Sequence, residues 1–330
     1  MKFLKTLMLV AALTCATVAG AQQKTLKFAT QNPKGHPLVT GMEKFAELVA
    51  ARSNGRIKVD LFPGGVLGSD QANVSALQGG TLDMVVLNSG ILASQVKEFG
   101  VYDFPFMFAN PREADAVVDG PFGKKLHQML EAKGIVGLAY WELGFRNLTN
   151  SRRPINKVED VAGLKLRVIP NAINVDWVKA LDANPTPLAF PELYAALDQK
   201  SVDGQENPNS VILANKFYEV QKFLALSNHQ YNPQSLIFSK RVWDTLSADE
   251  RRILSDAAVE ASKYQREVSR KEAAANLEAL KKNGMTVTEL SAAELTKFRD
   301  KMRPVIAKHA AVVGEETVHE IQAELAKLRR

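Results

Sequence analysis

The stretch LKFATQNPKGHPLVTGMEKFAELVAARSNGRIKVDL, Leu26 to Leu61, carries three structural signals in succession. Leu26 to Thr30 reads as a strand, and Asn32-Pro33-Lys34-Gly35 reads as a turn. Leu38, Met42, Phe45 and Val49 then recur at helical spacing, giving one apolar face. Ile57, Val59 and Leu61 alternate with Lys58 and Asp60, which is the period of a strand. Strand, helix and strand within this length form a βαβ unit, whose two strands lie parallel.

The same pattern continues outward. A helix is expected around Val74 and Leu77, a strand from Leu82 to Leu87, a helix around Leu126 and Leu130, and a strand from Ile135 to Trp141. A second run of the same kind follows Asn150. The expectation is an α/β protein with a largely parallel sheet, its ligand chemistry lying outside the carboxyl ends of the strands. After Ser247 the pattern changes to long helices. Ser247-Ala-Asp-Glu250 and Ser291-Ala-Ala-Glu294 are both capping-box sequences. The first predicts a helix from about Ala248 to Lys282, stopped by Asn283-Gly284 and long enough to lie across two lobes.

At the N-terminus, Lys2 and Lys5 precede an apolar run from Leu7 to Val18, followed by Ala19-Gly20-Ala21. This is the grammar of an export signal cleaved after Ala21, and the run is shorter than the ~20 residues that span a bilayer. Cys15 is the only cysteine and lies inside that segment, so the exported chain is expected to have no disulfide or thiolate chemistry. The remaining 309 of 330 residues exceed what one core usually serves, so two lobes are expected. Without the two lysines, Lys plus Arg falls from 42 to 40 against 36 acids, a net charge of +4. Basic and acidic residues are mixed throughout, unlike the concentrated patch of a nucleic-acid binder.

A candidate site lies between Phe145 and Pro208. In Gly163-Leu-Lys-Leu-Arg-Val168, Leu164, Leu166 and Val168 share one strand face, and Arg167 ends the other. A guanidinium there suits a carboxylate clamp, although a surface salt bridge is the commoner role of one arginine taken alone. Arg146, between Phe145 and Asn147, has the same two readings. Phe190 precedes Pro191 and a short helix, where its ring either covers a ligand or joins the core. In Asp203-Gly-Gln-Glu-Asn-Pro208, Gly204 permits a tight turn, and Pro208 restricts Asn207 to extended geometry facing a cleft or an ordinary loop. His36 sits in the first strand-to-helix loop, where it is placed to touch a ligand.

An enzyme reading rests on acid pairs. Asp203 with Glu206, and Glu113 with Asp115, offer paired carboxylates for glycoside hydrolysis or metal binding. None of G-x-S-x-G, H-E-x-x-H, the P-loop or G-x-G-x-x-G occurs in the sequence. Phe62-Pro-Gly-Gly-Val-Leu-Gly-Ser-Asp70 lacks the Lys-Ser/Thr ending of a phosphate loop and reads as a strand-to-helix turn.

Several ordered motifs resemble the extracytoplasmic receptors of TRAP (tripartite ATP-independent periplasmic) transporters. They are Phe62-Pro-Gly-Gly-x-Leu-Gly68, Ala76-Leu-Gln-x-Gly-Thr-Leu-Asp83, Gly144-Phe-Arg-Asn147, Gly163-Leu-Lys-Leu-Arg-Val168, Pro187-Leu-Ala-Phe190 and Val202-Asp-Gly-Gln-Glu-Asn-Pro208. The resemblance implies a two-lobed periplasmic binding protein fold with hinge strands and a long interdomain helix, closing on its ligand. Residues 22–143 would form lobe I, with 233–272 returning to it or crossing between lobes. Residues 144–232 would form lobe II, with the helices of 273–330 packing on it. The resemblance places the family's carboxylate-binding arginine on Arg167, its second anion-binding arginine on Arg146, its stacking aromatic on Phe190 and its carboxamide on Asn207. Gln31 stands where sialic-acid members hold asparagine, Asp70 matches their acid, and Asn88 replaces their glutamate. That implies an altered hydroxyl or amine pattern around an intact carboxylate clamp.

Phe190, Phe145 and Trp141 offer a partly apolar wall, while Gln31, Asn88, Glu142 and Asn207 offer groups for hydroxyls. The implied ligand is a hydroxylated monocarboxylate of aldonate, uronate or pantoate type; dicarboxylates, 2-oxo acids and aromatic acids are alternatives. The implied partner is a TRAP membrane permease, and the competing binding reading is a receptor for an ABC importer. No cofactor, metal, nucleic acid or membrane insertion is expected, and the exported protein is expected to be a periplasmic monomer.

Overall fold

The computed structural model describes residues 23–329, so the export segment, its cleavage point after Ala21 and Cys15 lie outside the described residues. The strands are β1 (Lys24–Ala29), β2 (Ile57–Phe62), β3 (Met84–Asn88), β4 (Ile135–Asn150), β5 (Lys165–Val168), β6 (Asn184–Pro187), β7 (Gly204–Asn207), β8 (Phe223–Ser239) and β9 (Thr286–Glu289). Among them run α1 (Pro37–Arg52), α2 (Asp70–Gly79), α3 (Pro111–Asp119), α4 (Pro121–Met129), α5 (Ala172–Lys179), α6 (Leu193–Asp198), α7 (Asn209–Ala214), α8 (Lys240–Trp243), α9 (Ala248–Lys282), α10 (Ala292–Val313) and α11 (Glu315–Leu328).

The opening βαβ unit forms as its pattern dictates: β1 pairs in parallel with β2, and α1 crosses between them. The sheet order is β2-β1-β3-β8-β4-β7-β5-β6, with β9 on β8. Strands β4 and β8 are long and antiparallel, and they join a lobe containing β1 to β3 to a lobe containing β5 to β7. Residues 143 and 144, and residues 232 and 233, therefore lie inside continuous strands. On β3, Met84 and Val86 enter one apolar cluster while Val85 and Leu87 enter another, so the strand is covered by helices on both faces. A third cluster, around Leu166, Trp177 and Phe298, supports the second lobe.

Midway along the crossing strands the ladder is interrupted. Glu142 faces Pro233, and the register shifts between Glu142 and Gly144. Proline has no N–H to contribute to the ladder. The long helix supplies the missing partners: Gln265 Oε1 accepts from the Glu142 N–H at 2.9 Å, and Gln265 Nε2 donates to the Glu142 carbonyl at 2.8 Å. Gly41 lets α1 approach this point, since a Cβ there would sit 2.8 Å from both Gln265 and Trp141.

Helix α9 opens with the complete capping box. Glu250 N–H donates to Ser247 Oγ at 3.2 Å, and Ser247 N–H donates to Glu250 Oε2 at 2.7 Å. Its 35 residues give a length of about 50 Å. The second box forms only halfway. Glu294 N–H donates to Ser291 Oγ, but the Glu294 carboxylate accepts from the distant Val158 N–H at 2.9 Å. Tertiary packing has taken one arm of a local motif.

Gly204 also differs from its sequence reading. It lies in β7, a buried strand between β4 and β5, and its φ is not positive. The reason for glycine is close approach: a Cβ would meet the Thr149 carbonyl oxygen at 2.1 Å.

Candidate ligand-binding cleft

A cavity opens where the two lobes face each other across β4 and β8. Arg146, Arg167, Phe190 and Asn207 line it from one side, and Gln31, Asp70 and Asn88 from the other. These seven expected residues come from seven separate segments of the chain. Strand ends and the turns after them deliver all but Arg146, which lies within the crossing strand β4.

Arg167 is the penultimate residue of β5 and is buried. Its Nε donates to the Leu188 carbonyl at 2.9 Å, which fixes the stem, and its guanidinium carbon lies 5.7 Å from the Phe190 ring centroid. Neither Nη group has a hydrogen bond among the described residues. Burial, with repulsion from Arg146, pulls the Arg167 pKa down to about 10 against the attraction of Glu206 and Asp70. It therefore remains cationic at neutral pH. Asn207, at the end of β7, donates Nδ2 to Gln205 Oε1 at 2.6 Å.

Arg146 occupies the cleft but is already bound. Its Nε donates to Glu206 Oε2, and its Nη2 donates to Glu206 Oε1 at 2.9 Å and to the Glu206 carbonyl at 2.7 Å. Both partners are at most 1% exposed. Burial pushes the Glu206 carboxyl up, but Arg146 and the nearby His229, 3.4 Å away, more than offset it and hold it at about 2. Glu206 is a counter-ion to Arg146 and does not converge with Asp203, whose Oδ2 accepts from the Lys165 N–H at 2.9 Å. Glu113 is likewise bound to Arg329, and Asp115 to Arg270. The paired-acid hydrolase geometry is not formed.

On the opposite wall an amide chain runs from β8 to β3. Gln234 Nε2 donates to Asn232 Oδ1 at 2.8 Å, and Asn232 Nδ2 donates to Asn88 Oδ1 at 2.9 Å. Asn88 Nδ2 is left with no protein partner, as are Thr30 Oγ1, Gln31 Oε1, Asn32 Oδ1 and Asp70 Oδ1. A buried polar atom without a hydrogen bond costs about 1–3 kcal/mol. Five such atoms around one cavity form a surface suited to a hydroxyl-bearing molecule.

Two expected residues are elsewhere. His36 caps α1, with Nδ1 accepting from Leu38 N–H at 3.1 Å, while Nε2 meets Ser210 Oγ at 3.2 Å. Burial lowers its pKa to about 3, so the ring is neutral and serves the helix end. Glu142 points behind the crossing strands, where it accepts from Tyr231 Oη at 2.9 Å and from Arg270 Nη2 at 2.6 Å. The bulge beside Pro233 turns it away from the cleft. Phe145 packs on Tyr231, and Trp141 on Phe28 within the core. The apolar lining comes instead from Leu143, Ile169 and Val211 with Phe190. Sequence reasoning also missed Asn232 and Gln234. Their signal was present: Gln230, Asn232 and Gln234 alternate with Tyr231 and Pro233 in the middle of β8.

Two α/β lobes joined by crossing strands, with a guanidinium facing a polar wall across a cleft, define a hinged receptor for a small acid. The family model for bacterial extracellular solute-binding proteins, family 7, matches residues 28–312, and the chain belongs to this family. It is similar to a TRAP periplasmic solute-binding protein from Ochrobactrum anthropi, 55% identical over 94% of this chain and 97% of that one, with a TM-score of 0.83. It also resembles the sugar acid binding protein DctPAm from Advenella mimigardefordensis, solved with galactonate: 42% identity, coverage of 93% and 99%, and a TM-score of 0.91. The C4-dicarboxylate-binding periplasmic protein DctP of Rhodobacter capsulatus is 35% identical, covering 96% of this chain and 95% of its own. The family consists of periplasmic receptors that bind small organic acids and work with a membrane permease. Among the described residues no helix is long and apolar enough to cross a membrane.

Proposed function

We propose that this receptor, exported and cleaved after Ala21, captures one hydroxylated monocarboxylate of aldonate, uronate or pantoate type and breaks no bond in it. Arg167 clamps the carboxylate through its free Nη groups, and Arg146 contributes from beside it. Phe190 covers the carbon chain. Asn207, Gln31, Asn88 and Asp70 receive the hydroxyls. The lobes, 22–143 and 144–232, close by bending β4 and β8 near the Glu142 to Pro233 interruption, with α9 spanning both.

The observation that carries this reading is the state of Arg167. It is the one cavity-lining cation, among the described residues, with no carboxylate bonded to it, and it faces a wall of amide and hydroxyl groups that holds one carboxylate, Asp70. The likeness to a galactonate-binding relative supports the sugar-acid class. A charge-assisted hydrogen bond contributes about 1.5–3 kcal/mol, so Arg167→Ala should weaken galactonate binding at least ~10-fold in calorimetric titration. Unchanged affinity in a folded variant refutes the clamp.

A further inference from the structure

We propose that Asp70 makes the cleft selective by charge, admitting ligands with a single carboxylate and refusing those that carry a second one at the far end. The inference rests on the monocarboxylate reading of Arg167 above and adds to it the residue that enforces it.

The charged residues lining the cavity are Asp70, Arg146 and Arg167. Because the charge of Arg146 is offset by its bonds to Glu206, Arg167 is the guanidinium left without a carboxylate of its own, and one carboxylate opposes it. A monoacid satisfies Arg167. A diacid brings a second negative charge into the same cavity as Asp70, with no further cation among the lining residues to receive it.

Hydrogen-bonding direction acts the same way. Of the five unpartnered atoms, Asp70 Oδ1, Gln31 Oε1 and Asn32 Oδ1 are acceptors, Thr30 Oγ1 can accept as well as donate, and Asn88 Nδ2 alone is restricted to donating, so acceptors prevail. An ionised carboxylate is acceptor-only, whereas a hydroxyl donates. The wall thus welcomes a terminal CH2OH and repels a terminal carboxylate.

The turn before α2 fixes this arrangement. Gln31 Nε2 donates to the Gly68 carbonyl at 2.8 Å, which commits the amide's donor end and leaves Oε1 as an unpartnered acceptor. Gly65, at φ 70°, allows the loop to pass: a Cβ there would lie 2.9 Å from Gln31 Oε1 and 3.4 Å from Pro191 of the other lobe. Ser69 caps α2 by accepting from Ala72 N–H at 3.3 Å, placing Asp70 in the first turn.

Burial pushes the Asp70 carboxyl up to about 7, with Arg167 and Gln31 drawing it back. The charged groups across from it are Arg167 on β5 and the Arg146–Glu206 pair on β4 and β7. Arg167 titrates near 10 and Glu206 near 2, so neither changes state between pH 6 and 8. Asp103, which acts on Arg146 from outside the cavity lining, also lies near 7, and the Asp70→Asn variant below separates its effect from that of Asp70. The filter should therefore sharpen as pH rises through that interval.

The test uses matched probes that differ only at the far end: galactonate against galactarate, and erythronate against meso-tartrate. Calorimetric titration of the mature wild-type protein at pH 8 should show each monoacid bound at least tenfold more tightly than its diacid, with the ratio smaller at pH 6. Asp70→Asn should reduce the ratio at least tenfold at pH 8 and remove its pH dependence. Equal binding of monoacid and diacid by wild type, or a ratio unchanged in folded Asp70→Asn, overturns the proposal. The pH comparison on wild type stands even if the variant misfolds, and a ratio flat from pH 6 to 8 also overturns it. Arg167→Ala separates the two layers: retained monoacid affinity there refutes the clamp, whereas its loss together with an unmoved Asp70→Asn ratio refutes only the filter.

Discussion

Replacing Glu206 by alanine removes the counter-ion of a fully buried guanidinium. Arg146 would keep only its bond to the Glu206 backbone carbonyl at 2.7 Å, losing both side-chain partners. Breaking one half of a buried ion pair costs about 3–5 kcal/mol. The acid's own titration gives a similar figure. Its pKa falls from 4.5 to about 2, and at roughly 1.4 kcal/mol per tenfold change in proton affinity this is about 3 kcal/mol. At roughly 2 °C per kcal/mol for a chain of this size, Glu206→Ala should lower Tm by about 6–10 °C at pH 7. The sign with pH follows from a lowered carboxylate pKa: the contribution is complete above the unfolded value near 4.5 and is lost as pH falls toward 2. The variant and wild type should therefore converge in acid. Differential scanning calorimetry at pH 7 and pH 3 measures both effects. A variant melting within a degree of wild type at pH 7 would refute the counter-ion reasoning.

Other outcomes follow from individual contacts. Gln265→Leu strands the Glu142 N–H and carbonyl at the break in the crossing strands; at about 1–3 kcal/mol for each unsatisfied group, urea unfolding should show a clear loss of stability. His36→Asn preserves a capping side chain outside the cavity, so galactonate affinity should stay within twofold of wild type by titration, and a tenfold loss would return His36 to the site. Asp103 is buried beside Asn171 and Gln230, and burial pushes its carboxyl up to about 7 despite the pull of Arg146. The folded state therefore holds an extra proton between about pH 4 and 7, and stability falls across that window as pH rises. Asp103→Asn should flatten this fall in Tm, measured from pH 5 to 8. Gly204→Ala should destabilise the protein by more than a surface change and weaken ligand binding, because β7 must move away from the Thr149 carbonyl and carry Asn207 with it.

Much of the fold was legible because it rests on local periodicity. The βαβ unit needed only the helical recurrence of Leu38, Met42, Phe45 and Val49 and the alternation around Ile57. The bounds of α9 followed from a capping box at one end and Asn283-Gly284 at the other, since both satisfy backbone groups within one turn. The length of β4 was less legible. Beyond Trp141 it continues to Asn150 through bulges, which the pairing with β8 and β7 imposes from far along the chain.

The site divides in the same way. By itself the sequence pointed to side chains that line the cleft, above all Arg167, Arg146, Phe190 and Asn207, because motif order and residue type are properties of the chain. Only the tertiary structure decided which are free to act. Arg146 and Glu206 are 60 residues apart, and their pairing turns one expected clamp into a largely neutralised group. His36 was claimed by a helix end and Glu142 by Arg270 and Tyr231, while Asn232 and Gln234 entered the cleft from a distant strand. Charge compensation and hydrogen-bond satisfaction depend on neighbours in space, and those neighbours are set by how the strands cross between the lobes.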